Sequence, residues 1–305
     1  MVTERPYRGD DDFWRIRAFL AEVFRLAPPG VTWDVRRWDG SNCHTARRGL
    51  PSEEAERTRI WEDDRGRIVA VALHEGGRQL HPHVHPGQRQ LMDRIVEWSE
   101  ANAASRGDDR VFLHVWDADL VLRRVAAAHG YTETENWEVA RRTRLGPWHI
   151  PESALPDGYV MRPTLGGDVD DEAVAVLLNA AFGRTFHHAE EHRAFAVNAP
   201  SFRRELDLVA TAPDGSLAAY AAVCWDDVNR HAVFEPVCTH PDHRQRGLAK
   251  ALMLEGMRRA RDLGAATIGV ETGDLDPANA LYAALPFAEV YRGRFWRKDL
   301  RRADP

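Results

Sequence analysis

The sequence predicts an α/β protein made of two similar domains, on two main observations. Its 305 residues are about twice the length of an ordinary domain. An order of strands and helices that begins near residue 7 starts again near residue 158, which indicates a tandem duplication. Similar segments support the repeat, because residues 126–131 (AAAHGY) have a counterpart in residues 282–287 (YAALPF).

The first half predicts a strand and helix, a hairpin, two strand–helix pairs and a closing strand. Apolar residues at helical spacing predict the first helix, and two apolar runs flanking the turn Asp63–Gly66 predict the hairpin. The predicted elements are a strand and helix within 7–24, the hairpin 59–73, a strand at 80–84, a helix at 90–104, a strand at 110–116, a helix at 120–128 and a strand from 129.

The second half repeats this order with clearer signals. It predicts a strand at 159–163, a helix at 171–182, a hairpin of 208–210 with 218–223, a strand at 232–238, a helix from 249 to 263, a strand at 266–272 and a short helix from 277. The helix from 249 carries a regular apolar stripe and stops at Gly264, which suits a C-cap.

The loop between the strand at 232–238 and the following helix predicts an anion site. Its pattern Arg244-x-x-Gly247-x-Ala249 places small residues where backbone amides approach a ligand closely, at the positive end of a helix. Neighbouring arginines add positive charge, and a pyrophosphate is the anion that suits such a loop best. An ordinary strand-to-helix turn is the alternative, since a single glycine loop is a weak motif.

The short helix from 277 carries a second candidate motif. Pro277 at a first helical turn, with Asp276 before it as the expected N-cap, starts the helix. Asn279 and Tyr282 then lie one turn apart on neighbouring faces.

Together these residues resemble the GNAT superfamily of acetyl-CoA-dependent N-acetyltransferases over about residues 232–300. The family's pyrophosphate signature, (Arg/Gln)-x-x-Gly-x-(Gly/Ala), is met by Arg244, Gly247 and Ala249. Its later signature, an Asn followed by a Tyr and then Gly-Phe, is met by Asn279 and Tyr282, with Pro286 in place of the glycine. That departure affects the turn before the last strand more than the chemistry.

The resemblance implies a fold and a set of acetyl-CoA contacts. Each domain should be a mixed, mostly antiparallel twisted sheet flanked by helices, with a strand that splays from its neighbour before the loop. Amides of that strand would hold the pantetheine arm, and the loop would hold the pyrophosphate. The residues that match these positions are Val237, Cys238, Thr239, Arg244, Gln245, Arg246, Gly247, Leu248, Ala249 and Asn279.

Two residues are predicted to move protons. Glu235 stands in an apolar run and, two residues before Val237, is expected on the same face of the strand, where it would accept the proton of an amine. Tyr282 matches the position at which the family places a phenol near the departing CoA sulfur. The alternatives are a strand-end glutamate paired with an arginine and an amphipathic core tyrosine.

Residues 1–145 are predicted to be a degenerate copy, 146–157 a linker rich in Pro and Gly, and 158–305 the catalytic domain. The first copy has residues 81–89 (HPHVHPGQR) where the second has its glycine loop. Ala126 stands where Tyr282 does, and Arg123 where Asn279 does. One CoA is therefore expected per chain.

Two histidine-rich segments raise the alternative of a metal site. His188 and His192 are one helical turn apart, but Ala189 stands where a metalloprotease motif needs glutamate, so a solvated helix or a pocket rim is favoured. Residues 81–86 (HPHVHP) contain prolines and no carboxylate, which favours a polar loop. No metal is predicted.

Composition limits the classes of partner. The net charge of −6 disfavours nucleic-acid binding and suits a cationic substrate such as an amine. Cys43, Cys224 and Cys238 lack paired spacing, which disfavours a disulfide framework and a structural zinc. With no long apolar run and no signal peptide, a cytoplasmic protein without membrane contact, monomeric or homodimeric, is expected.

The sequence thus predicts an N-acetyltransferase that transfers acetyl from acetyl-CoA directly to a primary amine of a small molecule. The tandem architecture is also similar to that of the mycothiol synthases, whose acceptor is an amino sugar conjugate. An acyl-CoA-binding regulator without turnover is the remaining alternative, although it would need neither Glu235 nor Tyr282.

Overall fold

The computed structural model describes residues 1–28, 30–152 and 154–300. Ser153, within the predicted linker, and residues 301–305, at the end of the predicted catalytic domain, lie outside the described residues. The strands in chain order are β1 Thr3–Pro6, β2 Arg59–Glu62, β3 Ile68–Glu75, β4 Gln79–Val84, β5 Arg110–Trp116, β6 Thr132–Arg144, β7 Val160–Pro163, β8 Asp207–Thr211, β9 Leu217–Asp226, β10 His231–Thr239, β11 Thr267–Gly273 and β12 Glu289–Asp299.

The α-helices include those predicted from the sequence, together with α2 and α3, which were not predicted. They are α1 Asp10–Leu26, α2 Val35–Asn42, α3 Ser52–Glu56, α4 Met92–Ser105, α5 Leu120–Ala128, α6 Asp168–Phe182, α7 Ala189–Asn198, α8 Leu248–Asp262 and α9 Asp276–Ala283. Within the described residues, none of the helices combines the length and the apolar character needed to cross a membrane.

The chain forms two compact units with the same strand order. Among the described residues, unit 1 comprises residues 1–38, 49–140 and 291–300, and unit 2 comprises residues 39–48 and 141–290. In unit 1, β1 to β4 are antiparallel neighbours and β5 runs parallel to β4. In unit 2, β7 to β10 repeat the antiparallel series and β11 runs parallel to β10. The predicted mixed, mostly antiparallel sheets and the tandem repeat are confirmed.

The units are not continuous in sequence, in contrast to the predicted ranges. In unit 1, β12 pairs antiparallel with β5, from Gly293 opposite Trp116 to Asp299 opposite Arg110. Trp296 of β12 is buried in the core of unit 1, and this burial favours the pairing. The predicted linker packs within unit 2, where Ile150 is buried in the core.

In unit 2 the helix after the glycine loop packs directly on the sheet. The buried face of α8 includes Leu252 and Met257. A Cβ added at Gly256 would lie 2.8 Å from Phe234 Cε1 and 2.9 Å from Val223 Cγ2. Glycine at this position therefore lets the helix backbone approach β9 and β10 closely, which fixes the direction of α8 and of the loop at its start.

Candidate active site

The strand β10 parts from β11 just before the glycine loop. Their parallel register covers His231 to Phe234, opposite Thr267 to Val270, and ends there. Beyond this point β10 stays paired with β9, with Cys238 opposite Tyr220. The sequence-based expectation of a splayed strand corresponds to this divergence.

The hydrogen-bond alternation of β10 decides which amides face the gap beside β11. The His240 amide donates to Ala218 O at 2.9 Å on the β9 side. Bonding direction alternates along an antiparallel strand, so the Cys238 backbone also faces β9, whereas Val237 and Thr239 face the gap. Two of the three predicted strand amides, those of Val237 and Thr239, are therefore directed away from β9.

A bulge interrupts β10 at Glu235 and Pro236. Phe234 pairs with Val223 and Val237 pairs with Ala221, so two residues of β10 stand opposite one residue of β9. The Glu235–Pro236 peptide bond is cis. Simple side-chain alternation does not continue through a bulge, so the argument that placed Glu235 and Val237 on one face does not apply here. The Glu235 side chain is half-buried.

The loop after β10 has the backbone geometry of an anion seat. Gln245 and Gly247 have φ of 60° and 77°, in the left-handed region, and Gly247 is the N-cap of α8. A Cβ at Gly247 would meet nothing within 4 Å, so the approach to the helix start is open. Gln245 and Arg246 are exposed, and the first turn of α8 carries no acidic residue. These features suit a phosphate group.

Arg244 makes a contact that the sequence did not predict. Its guanidinium Nη2 donates a hydrogen bond of 3.0 Å to the backbone oxygen of Ala181, in the last turn of α6. The first residue of the glycine-loop pattern is thus engaged with a second element of unit 2.

The short helix α9 begins differently from the prediction. Its N-cap is Leu275, and Asp276 is the first helical residue and makes no capping hydrogen bond. The side chain of Asn279 instead ties the helix to the loop before it, because Nδ2 donates to Gly273 O at 3.0 Å. Its Oδ1 is buried and has no partner among the described residues. A buried acceptor of this kind suits an N–H donor of a ligand.

Tyr282 lies on α9 within the core of unit 2, 6% exposed. Burial raises the pKa of its phenol above the ordinary value, and the carboxylate of Glu235 raises it further. Arg141 acts in the opposite direction but does not cancel these effects. The structure therefore brings Glu235 and Tyr282 into one electrostatic neighbourhood and keeps the phenol protonated at neutral pH.

The three cysteines, Cys43, Cys224 and Cys238, are buried and form no disulfide within the part of the chain that the structure describes. Burial raises the pKa of Cys238 to about 12, so this thiol stays protonated although its strand borders the gap.

A buried ionic cluster beside β8 and β9 was not predicted from the sequence. His192 is buried, so the predicted solvated position is wrong for this residue. Its Nδ1 lies 2.6 Å from Asp171 Oδ1 and its Nε2 lies 3.1 Å from Asp207 Oδ2. Tyr220 donates to the other oxygen of Asp207 at 2.6 Å. Successive members of the cluster are 13 to 21 positions apart in the sequence, so no local pattern indicates it.

The charge of His192 follows from these contacts. Burial disfavours the protonated ring, but the hydrogen bonds and charges of Asp207 and Asp171 outweigh burial and raise its pKa. The ring therefore bridges α6, α7 and β8 as a cation between two carboxylates. Among the described residues, no group of three or more His, Cys, Asp or Glu side chains is arranged to hold a metal ion.

In unit 1 the corresponding divergence is filled by side chains. The register of β4 with β5 ends at Leu80 opposite Leu113. Beyond it, His81 of β4 and His114 of β5 are buried with ring centroids 5.7 Å apart, and Trp33 packs on His81. The strand predicted at 80–84 is confirmed, whereas the polar loop predicted for 81–86 is wrong because His81 and His83 are buried in the strand.

Comparisons with known proteins place these features in context. The model of the acetyltransferase (GNAT) family matches residues 172–287, all within unit 2. Mycothiol acetyltransferase from Pseudarthrobacter chlorophenolicus is 30% identical over 248 residues, which cover 75% of this chain and 69% of the relative.

Two solved structures share the fold over nearly the whole chain. A tandem GNAT protein from the clavulanic acid biosynthesis pathway superposes with a TM-score of 0.69 at 19% identity, covering 100% of both chains. A GCN5-related N-acetyltransferase from Sphaerobacter thermophilus gives a TM-score of 0.67 at 20% identity, covering 98% of this chain and 96% of that one. At these identities the likeness concerns the fold alone.

Proposed function

Since the chain belongs to the GNAT acetyltransferase family, we propose that unit 2 transfers acetyl from acetyl-CoA directly to a primary amine of a small molecule. The observation that carries this proposal is the parting of β10 from β11 immediately before an open loop at the start of α8. The enzyme is an acetyltransferase by family. The donor, the acceptor and the residue roles below are proposals.

The donor would lie along the gap and end at the loop. Backbone amides of Val237 and Thr239 would bind the pantetheine arm and the thioester carbonyl, because they face away from β9. The orphaned Oδ1 of Asn279 would accept a hydrogen bond from the same ligand. The loop and first turn of α8 would hold the pyrophosphate through their amides, supported by the exposed charge of Arg246. Of the other predicted loop contacts, Gln245, Gly247, Leu248 and Ala249 are proposed to bind the donor, whereas the side chain of Arg244 is engaged with Ala181 O.

Glu235 and Tyr282 would move the two protons of the reaction. Glu235, directly or through water, takes the proton that the ammonium group must lose before nitrogen attacks the thioester carbon. The new C–N bond forms as the C–S bond breaks, and the phenol of Tyr282 gives its proton to the departing sulfur. The second proton, which the nitrogen loses as the amide forms, returns through water to the Tyr282 phenolate and restores the phenol. A phenol carries its proton at neutral pH, and the electrostatic effect of Glu235 on the pKa of Tyr282 supports a shared role for the two groups.

Unit 1 would have no second donor site. His81, His114 and Trp33 occupy the divergence of β4 and β5, and the match to the family model lies outside this unit. We therefore propose that residues 1–145 form mainly a degenerate copy and that catalysis rests on residues 158–305, with β12 contributing to unit 1.

Acetylation of an amino sugar conjugate is the second candidate acceptor reaction. The observation that favours it is the 30% identity to a protein named mycothiol acetyltransferase. A regulator without turnover is disfavoured by membership of an acetyltransferase family.

A thiol-release assay with acetyl-CoA tests the proposal across a panel of simple amines, amino sugars, aminoglycosides and peptides. The proposed function requires stoichiometric thiol release with a small-molecule amine and formation of its amide. Preference for amino sugar conjugates would select the second candidate. Release of thiol only with peptides, or with no amine, would contradict the small-molecule proposal.

A further inference from the structure

The guanidinium of Arg244 satisfies an end carbonyl of α6. The last carbonyls of a helix lack partners within the helix and carry its negative partial charge. Here the backbone amides of Gly183 and Arg184 both donate to Asn179 O, and the Arg244 guanidinium donates to Ala181 O at 3.0 Å. The contact is therefore a charged helix cap supplied by the donor-binding loop.

Residues 182–188, which are the last residue of α6 and the segment that leads to α7, fold back on the end of α6. We call these residues the α6–α7 tip. The side-chain amide of Asn179 donates to His187 O at 2.9 Å and accepts from His187 N at 3.1 Å. These two bonds close the segment back on the helix, so a displacement of the end of α6 displaces the whole tip.

The tip presents two aromatic rings and a cation to solvent. Phe182 and Phe186 are 41% and 55% exposed, and the Arg184 guanidinium lies 5.0 and 5.4 Å from their ring centroids. Exposed rings held in this way form a defined surface. Because Arg244 joins the neighbouring carbonyl to the loop, this surface lies beside the proposed donor site.

The parts of α6 and α7 outside the tip are held separately. Asp171 near the start of α6 contacts His192 in the first turn of α7, and both belong to the buried cluster with Asp207. Val174 and Leu177 pack in a buried group with Cys238 of β10, and Ala181 packs against the same group. The body of α6 is thus fixed on the sheet, whereas the exposed tip meets the loop through Arg244.

We propose that Arg244 is a positioning residue that transmits occupancy of the anion-binding loop to the α6–α7 tip. This inference rests on the proposed function, since it requires the loop to bind the pyrophosphate of CoA. Binding fixes the loop backbone on both sides of Arg244, the guanidinium then holds Ala181 O, and the tip becomes ordered beside the donor. The resemblance to the family assigned Arg244 to the donor itself, so the two roles make opposite predictions.

Hydrogen–deuterium exchange tests this without knowledge of the acceptor, with free CoA as the probe. In the unchanged protein, saturating CoA should slow exchange both in the loop (residues 245–251) and in the tip. In Arg244→Met, which keeps the aliphatic stem, CoA should still protect the loop while protection of the tip is lost. We expect about a tenfold difference in tip exchange between the two proteins, the usual effect of one charged hydrogen bond.

Two variants serve as controls. Arg246→Met removes a neighbouring exposed arginine of the same loop and should weaken CoA binding without uncoupling the tip at saturation. Arg244→Lys keeps a donor and should restore part of the tip protection. Thermal unfolding of each variant verifies that the exposed substitution leaves the fold intact.

The outcomes separate this inference from the proposed function. Protection of the loop without protection of the tip in the unchanged protein overturns the inference alone. Tip protection that survives in Arg244→Met, or loop protection that is lost in this variant at saturating CoA, also overturns it. Absence of loop protection in the unchanged protein contradicts the anion seat, and with it both proposals.

Discussion

Substitution of Gly247 tests the proposed pyrophosphate seat most directly. Gly247 is exposed, has φ of 77°, and its Cβ would meet nothing within 4 Å. A side chain therefore fits sterically, and its cost to folding is the left-handed backbone, about 1–2 kcal/mol for a residue other than glycine. This cost is nearly the same for glutamine and glutamate, so Gly247→Gln is the matched control for Gly247→Glu.

The two variants differ in one negative charge at the start of α8. Two unit charges about 4 Å apart interact by about 1 kcal/mol in water and about 4 kcal/mol at the effective dielectric of a protein surface. A carboxylate facing the pyrophosphate should thus weaken acetyl-CoA binding by about fivefold to a thousandfold relative to the glutamine variant. The difference should shrink at high salt, because exposed charges are screened.

Isothermal titration calorimetry of both variants at low and high salt measures this difference, with circular dichroism to verify folding. A folded glutamate variant that binds acetyl-CoA as tightly as the glutamine variant would refute the placement of the pyrophosphate at Gly247.

Three further predictions concern the proton path, the number of donor sites and the buried cluster. Glu235→Gln should lower kcat/KM by about 10²–10⁴ at neutral pH, and its kcat/KM should rise steeply at alkaline pH, where the amine is already neutral. Tyr282→Phe should show no such rise. If kcat/KM of Glu235→Gln depends on pH as it does in the unchanged protein, Glu235 is not the base. Equilibrium titration should give one CoA per chain, and a value of two would contradict the degenerate assignment of unit 1. Because the pKa of His192 is raised in the folded protein, its bridge to Asp171 and Asp207 contributes its full stabilisation to the free energy of unfolding below about pH 6.5. This stabilisation is lost as pH rises through the folded-state pKa of His192. The destabilisation of His192→Gln in urea unfolding should therefore be largest at mildly acidic pH, and a constant difference up to pH 9 would argue against a charged ring.

The sequence by itself determined the features that depend on neighbours along the chain. The pattern from Arg244 to Ala249 specifies a strand-to-helix loop, because left-handed positions and the apolar stripe of α8 are local properties. The repeated order of strands and helices is local in the same sense. Each copy therefore predicted its own order of strands and helices, and the resemblance implied the mixed, mostly antiparallel sheet that the structure shows.

Other features depended on partners far away in sequence. The bulge at Glu235 is defined by its pairing with β9, so alternation counted along β10 alone could not orient that side chain. His192 looked like a solvated residue on a helix, because its partners Asp171 and Asp207 come from separate elements. The contact of Arg244 with Ala181 spans 63 residues and is invisible to any local pattern.

The placement of β12 shows the same division most clearly. A last strand was expected after the turn at Pro286, but several strands could accept it as a neighbour. Only the tertiary structure pairs it with β5 of unit 1, where the buried face of Trp296 joins an apolar core. The residues of a segment determine whether it forms a strand. Its neighbour in the sheet is the strand beside which its apolar face becomes buried, and this depends on the folded chain as a whole.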